Sequence, residues 1–175
     1  MSKSPIEQLK KDEIKILEEL QKNAKENIDT IAKHCGFSRQ KVWRIIKQLE
    51  GNRKIWGYTA IFDEQKLGEN HFILLLQRTS RPLKEGTAEN IISRRSEDIL
   101  RKMGGIIEST ALVHGEYDWM VSFSAKDILQ AKKYSDTLIA LHPNEIKKMT
   151  LLQTLMFVKK HYILNPEKEK LKEFL

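Results

Sequence analysis

The chain has 175 residues, of which 40% are hydrophobic and 31% charged, and its formal net charge is +7. This composition is too apolar for general disorder, and no apolar run approaches the roughly 20 residues that a membrane-spanning helix needs. We therefore predict a soluble globular protein of one large domain or two small ones. Small domains have thin cores, which makes oligomerisation an early expectation.

The cysteine content and the amino terminus indicate where the protein works. The first residues lack the apolar core of a signal peptide. A single cysteine, Cys35, excludes an intrachain disulfide and a cysteine-rich zinc site, which agrees with a reducing compartment. Cys35 is expected to be a buried packing residue. We expect a cytoplasmic protein with no membrane partner.

Three helices are predicted in the first 50 residues. Apolar side chains at spacings of three and four mark the first helix, over 9–24. Asn27 is the predicted N-cap of a second helix over 28–35, and Ser38 that of a third helix over 39–50. Two short helices joined by a tight glycine turn are typical of a helix-turn-helix.

The third helix is amphipathic. Its predicted inward face is formed by Val42, Ile46 and Leu49, at positions i, i+4 and i+7. The outward face consists of Arg39, Gln40, Trp43, Arg44 and Lys47.

Positive charge is concentrated on and after this helix. Between Ser38 and Lys54, six basic residues oppose a single acid, Glu50. Such an excess favours contact with phosphates, although a solvated surface would show the same charge. Arg44 has the donors to bind guanine, and Gln40 can read adenine. The predicted DNA-binding residues are Ser38, Arg39, Gln40, Lys41, Trp43, Arg44, Lys47, Arg53 and Lys54, with Lys41, Lys47, Arg53 and Lys54 as phosphate contacts.

The order of elements predicts an α+β protein with two domains. After the third helix, β-branched and aromatic residues around Gly57 predict a small wing hairpin that leads into a linker strand. The second half has the β-α-β-β-α-β order of ferredoxin-like domains. Its elements are predicted at 71–79 (strand), about 88–103 (helix), 106–114 and 119–124 (strands), 128–142 (helix) and 147–159 (strand).

Four segments follow from this order. They are 1–58 for the winged helix-turn-helix domain, 59–70 for the linker strand, 71–165 for the ferredoxin-like domain and 166–175 for a charged tail. Helices on one face of a four-stranded sheet leave its other face uncovered. Both sides of the last strand, from Met149 to Val158, are largely apolar, so we expect a second copy of the chain to cover it.

The run IDTIAKHCGFSRQKVWRIIKQLEGNRKIWGYTAIFDEQKLG closely resembles the first half of the leucine-responsive and asparagine-responsive (Lrp/AsnC) transcription regulators, and HGEYD adds a weaker match. The resemblance implies a winged helix-turn-helix that reads DNA, and a ferredoxin-like domain whose dimers often assemble further. It also implies an amino-acid effector near the hairpin, at Gly115, Glu116, Tyr117 and Asp118. A simple tight turn explains the same residues.

Two features depart from the family pattern, and two alternatives stay open. The connection over 78–95 is longer than usual, and Trp43 puts a bulky aromatic on the recognition face. Catalytic motifs and metal-ligand spacings are absent from the sequence, so no cofactor is expected. Siroheme decarboxylases resemble this family in fold, and His114, Arg94 and Arg95 are the loose catalytic candidates for such a role. An architectural DNA binder without an effector is the other alternative.

Overall fold

The computed structural model describes residues 5–82 and 85–175. Contacts divide the chain into two compact units, one formed by Met1–Ile61 with Val158–Leu175 and the other by Phe62–Phe157. Among the helices of the described residues, none has the length and apolar character needed to cross a bilayer.

The first unit contains three helices, α1 (Pro5–Lys22), α2 (Ile28–Cys35) and α3 (Arg39–Gly51). The two predicted caps are confirmed, because the Asn27 side chain accepts a hydrogen bond from the Thr30 amide and Ser38 accepts one from the Lys41 amide. Gly36 ends α2 with φ +70°, a left-handed conformation that costs glycine little. This turn sets the direction in which α3 leaves α2.

The buried core of the first unit differs at one position from the inward face that we predicted for α3. Its buried side chains are Ile16, Leu20, Ile31, Ala32, Cys35, Val42, Ile45 and Leu49. Ile45 is fully buried, whereas Ile46, which we predicted to point inward, is only partly buried. The buried stripe therefore runs through i, i+3 and i+7, with Ile45 as its missed member, and Ile46 packs against the edge of this core. Cys35 packs in this core, as expected.

The segment after α3 differs from the prediction, since residues 52–69 contain no strand in this structure. The amides of Lys54 and Ile55 bond to the Leu49 carbonyl, which ties the chain to the last helical turn. The aromatic residues that predicted a hairpin are exposed to solvent, and Trp56 is 96% exposed. An alternating pattern favours a strand only where one face can be buried. One 3-10 turn, Gln65–Leu67, precedes the second unit's sheet.

The second unit has the predicted ferredoxin-like order. Its elements are β1 (Asn70–Arg78), α4 (Thr87–Ile92), α5 (Arg95–Lys102), β2 (Ile106–Leu112), β3 (Trp119–Ala125), α6 (Ile128–Leu141) and β4 (Ile146–Gln153). The antiparallel sheet has the order β2-β3-β1-β4. Phe72, Leu74 and Phe123 pack on one face of the sheet against Leu100 of α5 and Tyr134 of α6. The predicted α+β class is confirmed.

Two elements of this unit are shorter than predicted. The helix expected over 88–103 is two helices, because Arg94 adopts a left-handed conformation with φ +62° between them. β4 ends at Gln153 rather than near 159, because its partner β1 begins at Asn70. The Thr154 amide donates to the His71 carbonyl in the last bond of this pairing. Beyond that point, residues 158–175 belong to the first unit by contact, with a short hairpin of β5 (Lys159–Lys160) and β6 (Ile163–Leu164) and a 3-10 helix, Lys168–Glu173.

The face of the sheet opposite α5 and α6 is partly covered. His71 is buried there, bonded by its Nδ1 to Thr154 Oγ1 (2.6 Å) and by its Nε2 to Ser122 Oγ (2.7 Å). The ring of Phe157 meets the His71 imidazole edge-on at 4.7 Å. Leu152 remains 46% exposed on the same face.

Candidate nucleic-acid interface

The exposed face of α3 is the candidate nucleic-acid interface. Burial of Val42, Ile45 and Leu49 fixes the rotation of the helix about its axis. The opposite side is exposed throughout its length, and Trp43 is 53% exposed although it is a large aromatic. The exposed side chains are Arg39, Gln40, Trp43, Arg44, Lys47 and Gln48. The structure thus brings the predicted outward residues together on one surface.

Lys41 has a different environment from the rest of the predicted set. Its Nζ lies 2.6 Å from Asp12 Oδ2 of α1, and that aspartate side chain is only 6% exposed. The hydrogen bond from Lys41 holds the pKa of the Asp12 carboxyl below its usual value. The ammonium also lies 3.9 Å from the centroid of the Phe37 ring. Lys41 therefore joins α1 to α3.

Lys54 makes a second ion pair with α1. Its Nζ lies 2.6 Å from Glu13 Oε2, and the glutamate side chain is 8% exposed. Lys47 pairs with Glu50 at 2.7 Å, and Glu50 also accepts a hydrogen bond from Tyr58. Three of the four predicted phosphate contacts are thus held by carboxylates of their own domain. The acids Asp12 and Glu13 were missed by the sequence reasoning, since no local spacing links them to lysines about 30 and 40 residues further on.

Arg44 and Arg53 differ from these lysines. Within the described ranges 5–82 and 85–175, neither guanidinium has an acidic partner. Arg39 bonds to Asp29 at 3.0 Å, but both side chains are more than 60% exposed. An exposed pair of this kind contributes little stability, so it can exchange for another acceptor at small cost. Arg53 adopts φ +55° just after the helix.

The hairpin proposed as an effector site is strongly tied to the sheet. Asp118 Oδ2 accepts a hydrogen bond from the Arg78 amide at 2.7 Å, and the Asp118 amide donates to the Leu76 carbonyl. The Tyr117 hydroxyl shares a hydrogen bond with Thr150 at 3.1 Å. Glu116 pairs with Lys148, and Gly115 has φ +151°. These contacts account for the hairpin residues structurally, as the turn interpretation expected.

An open groove runs beside this hairpin. It is lined by Arg78, Thr79, Ser80, Asp118 and Lys147. It therefore presents one carboxylate, two cations and two hydroxyls to solvent.

Two of the three side chains considered for an enzyme are bonded to neighbours in the structure. Arg94 is paired with Glu97, and Arg95 Nη1 donates to Asn90 Oδ1 at 3.3 Å. His114 is exposed in the turn between β2 and β3. Groups of His, Cys, Asp and Glu suited to a metal ion are not found among the residues that the structure describes.

Similarity to known proteins defines the class. A family described as "Winged helix-turn-helix DNA-binding" matches residues 12–54, which span most of α1 and all of α2 and α3. The matched range contains Asp12, Glu13 and the exposed face of α3. Residues 12–54 of the first unit are thus similar to winged helix-turn-helix DNA-binding domains.

Similarity over the whole chain defines the architecture. The HTH-type transcriptional regulator YugG of Bacillus subtilis (strain 168), named as uncharacterized, is 27% identical over 93% of this chain and 89% of its own length. An AsnC family transcriptional regulator from Agrobacterium tumefaciens superposes with a TM-score of 0.62 at 18% identity, covering 89% of this chain and 96% of its own. The Neisseria meningitidis regulator NMB0573, crystallised with L-Met, gives 0.65 at 18% identity over 94% and 98%. The chain has the fold of the Lrp/AsnC regulators, and the resemblance noted from residues 28–68 is confirmed.

Proposed function

We propose that the protein is a dimeric transcription regulator that recognises a specific DNA sequence through α3. The exposed row Arg39, Gln40, Trp43 and Arg44 on a helix fixed by its core is the observation that carries this proposal. Major-groove readout needs a helix of this kind with donors and acceptors at its amino-terminal half. A regulator of this kind works in the cytoplasm, where the DNA is.

Each residue of the surface has a proposed role. Arg44, with no acidic partner among the described residues, binds a guanine edge through two hydrogen bonds, and Gln40 reads adenine. Trp43 contacts a sugar or a thymine methyl. Arg53 and Lys47 contact phosphates, whereas Lys41 and Lys54 act mainly by holding α1 against the recognition helix.

Footprinting of genomic DNA identifies the site, and titrations across salt concentrations test the roles. Arg44→Ala should cost about 1–3 kcal/mol at the specific site and relax the sequence preference. Arg53→Ala should weaken binding to all sequences alike and lower the salt slope by about 0.9. Lys102→Ala removes the same charge from the second unit and serves as the control. Equal affinity of the wild-type protein for operator and random DNA would refute sequence-specific binding.

The second unit is proposed to form the dimer through the sheet face that carries His71 and Leu152. Ile73 and Leu75 lie on this face at only partial burial, and Leu152 is 46% exposed. A second copy would remove these apolar groups from water. In sedimentation experiments, wild-type protein should run as a dimer or a larger assembly, and Leu152→Glu should shift it towards the monomer. A wild-type monomer at micromolar concentration would exclude this interface.

The groove beside the hairpin is the proposed site of a small amino-acid-like effector. A zwitterion needs a carboxylate for its ammonium group and cations for its carboxylate, and the groove offers Asp118 with Arg78 and Lys147. The Neisseria relative with bound L-Met supports an amino acid as the first compound to try.

Lys147→Ala is the sharper test of this site, because Asp118 also anchors the hairpin to β1. A thermal-shift screen should find an amino acid whose stabilisation follows mass action and is lost in Lys147→Ala. A screen without any hit at millimolar concentration would favour a DNA binder without an effector.

A further inference from the structure

The second unit contains a cavity on the side of the sheet that α5 and α6 cover. Its volume is about 340 Å³. An engineered apolar cavity of about 150 Å³ holds one benzene molecule, so this one has room for an apolar body of about twelve non-hydrogen atoms. The apolar part of the lining includes Leu76, Ile107, Leu112, Val121 and Leu138. Polar and charged side chains complete the lining, and they decide which head group such a body can carry.

Two of the three glutamates that line the cavity have partners in the cavity lining itself. Glu97 forms an ion pair with Arg94. The buried Glu145 side chain lies with its Oε2 3.1 Å from Nδ1 of His142. Neither carboxylate is free to bind the ammonium group of a ligand without breaking the contact that it already makes.

The third glutamate, Glu108, directs its carboxylate to the opposite face of the sheet. Its Oε2 lies 3.6 Å from Nε2 of His71, which is buried on the face opposite α5 and α6. The neighbouring Ser109 is paired with Ser122, whose Oγ bonds to the same imidazole. Side chains of paired residues share one face of an antiparallel sheet. The Glu108 and Ser109 side chains therefore do not supply a head-group site in the cavity.

Arg78 is the lining cation whose charge is not balanced. Within residues 5–82 and 85–175 its guanidinium has no acidic partner, and the side chain is partly buried. The Thr110 hydroxyl accepts a hydrogen bond from the Trp119 indole at 2.7 Å. The hydroxyls of Thr87 and Ser96 also line the cavity, and neither has a hydrogen-bond partner among the described residues. The polar lining thus offers one positive charge and two hydroxyl donors, which suits a negatively charged head group.

We propose that this cavity binds an amphipathic monocarboxylate, whose apolar body lies between the sheet and α6 and whose carboxylate binds the Arg78 guanidinium. Arginine binds carboxylates through two parallel hydrogen bonds, and such charge-assisted bonds are stronger than neutral ones. Aryl- or alkyl-substituted carboxylic acids of about ten carbons have this chemistry and this size. An amino acid suits the cavity less well, because its ammonium group meets no free glutamate. Arg78 also lines the groove beside the hairpin, so occupants of the two sites would compete for this guanidinium.

The first test compares three probes that share one apolar body and differ in charge. 4-Phenylbutyrate, 4-phenylbutanamide and 4-phenylbutylamine are titrated into the full-length protein by isothermal titration calorimetry near neutral pH. The carboxylate should bind about tenfold more tightly than the amide or the amine, because it alone forms a charge-assisted pair with Arg78. A carboxylate that binds no more tightly than the amide, or no binding of any probe at millimolar concentration, would overturn the proposal.

The second test assigns the head-group site with matched variants. Arg78→Gln removes the positive charge, and it should lower the affinity for 4-phenylbutyrate to that for the amide. Arg78→Lys keeps the charge and should keep a preference for the carboxylate. Lys147→Ala removes a cation that lines the groove and not the cavity, so it should bind 4-phenylbutyrate as the wild type does. If Lys147→Ala loses as much affinity as Arg78→Gln, the anion binds in the groove and the proposal is wrong.

The third test fills the space for the apolar body. Ile107 is only half-buried on β2, so a larger side chain can be accommodated there, and Ile107→Trp should abolish binding of all three probes. Circular dichroism checks that each variant is folded, and the Arg78 variants decide the matter if Ile107→Trp does not fold. Undiminished binding of 4-phenylbutyrate to folded Ile107→Trp would show that the cavity is not its site.

Discussion

Removing the hydroxyl of Tyr134 should stabilise the second unit, which is the opposite of the usual effect of a core substitution. The hydroxyl is buried with no hydrogen-bond partner among the residues that the structure describes, and this desolvation costs about 1–3 kcal/mol in the folded state. Tyr134→Phe retains the ring, which packs edge-on against Phe123 with centroids 5.3 Å apart. The void left by one oxygen costs only a few tenths of a kcal/mol. We expect the free energy of unfolding to rise by about 1–2 kcal/mol.

The assay must report on the second unit alone. The chain has three tryptophans, of which Trp43 and Trp56 belong to the first unit and Trp119 to the second. In a Trp43→Phe, Trp56→Phe background, urea unfolding followed by Trp119 fluorescence isolates the unit that contains Tyr134. All variants are compared at one protein concentration, since oligomerisation alters apparent stability.

Tyr117→Phe provides the matched control. Its hydroxyl shares a hydrogen bond with Thr150 at 3.1 Å, so its removal should destabilise the unit by about 0.5–1.5 kcal/mol. The two Tyr→Phe substitutions should therefore have opposite signs. If Tyr134→Phe is as destabilising as Tyr117→Phe, the Tyr134 hydroxyl is satisfied in solution and the reasoning fails.

Two further predictions concern packing and pH. A Cβ at Gly105 would lie 2.7 Å from the Ser124 carbonyl oxygen, so Gly105→Ala should lower the free energy of unfolding by about 1–3 kcal/mol. Gly57 has open space around it, so the control Gly57→Ala should change this free energy little. The folded pKa of Asp12 lies below its usual value of 3.8, so its pair with Lys41 stabilises the first unit above that value and is lost as the pH falls through the folded pKa. Asp12→Asn should lower the free energy of unfolding by about 1 kcal/mol at neutral pH and reduce its further loss below about pH 4. Both effects are measured by urea unfolding followed by tryptophan fluorescence. If the free energy of unfolding of Asp12→Asn falls below about pH 4 as steeply as that of the wild type, this role is contradicted.

The sequence by itself determined the helix-turn-helix and the order of the second unit. These features depend on residues that are close together in the chain, so they can be recognised from the sequence alone. They are the caps Asn27 and Ser38, the glycine after α2 and the spacing of the apolar side chains. The same holds for the exposed face of α3, because helical periodicity decides which side chains share a side. Ile46 shows the limit of this reasoning, since a shift of one position moves a residue from the core to its edge.

Features that depend on contacts between residues far apart in the chain were decided only by the tertiary structure. The ion pairs of Lys41 and Lys54 with α1 link residues about 30 and 40 positions apart, so no local spacing in the sequence reveals them. The end of β4 was set by the start of β1, its pairing strand, rather than by its own apolar run, which continues further. The unpartnered hydroxyl of Tyr134 left no trace in the sequence, because its neighbours among the described residues are fixed only when helix and sheet pack together.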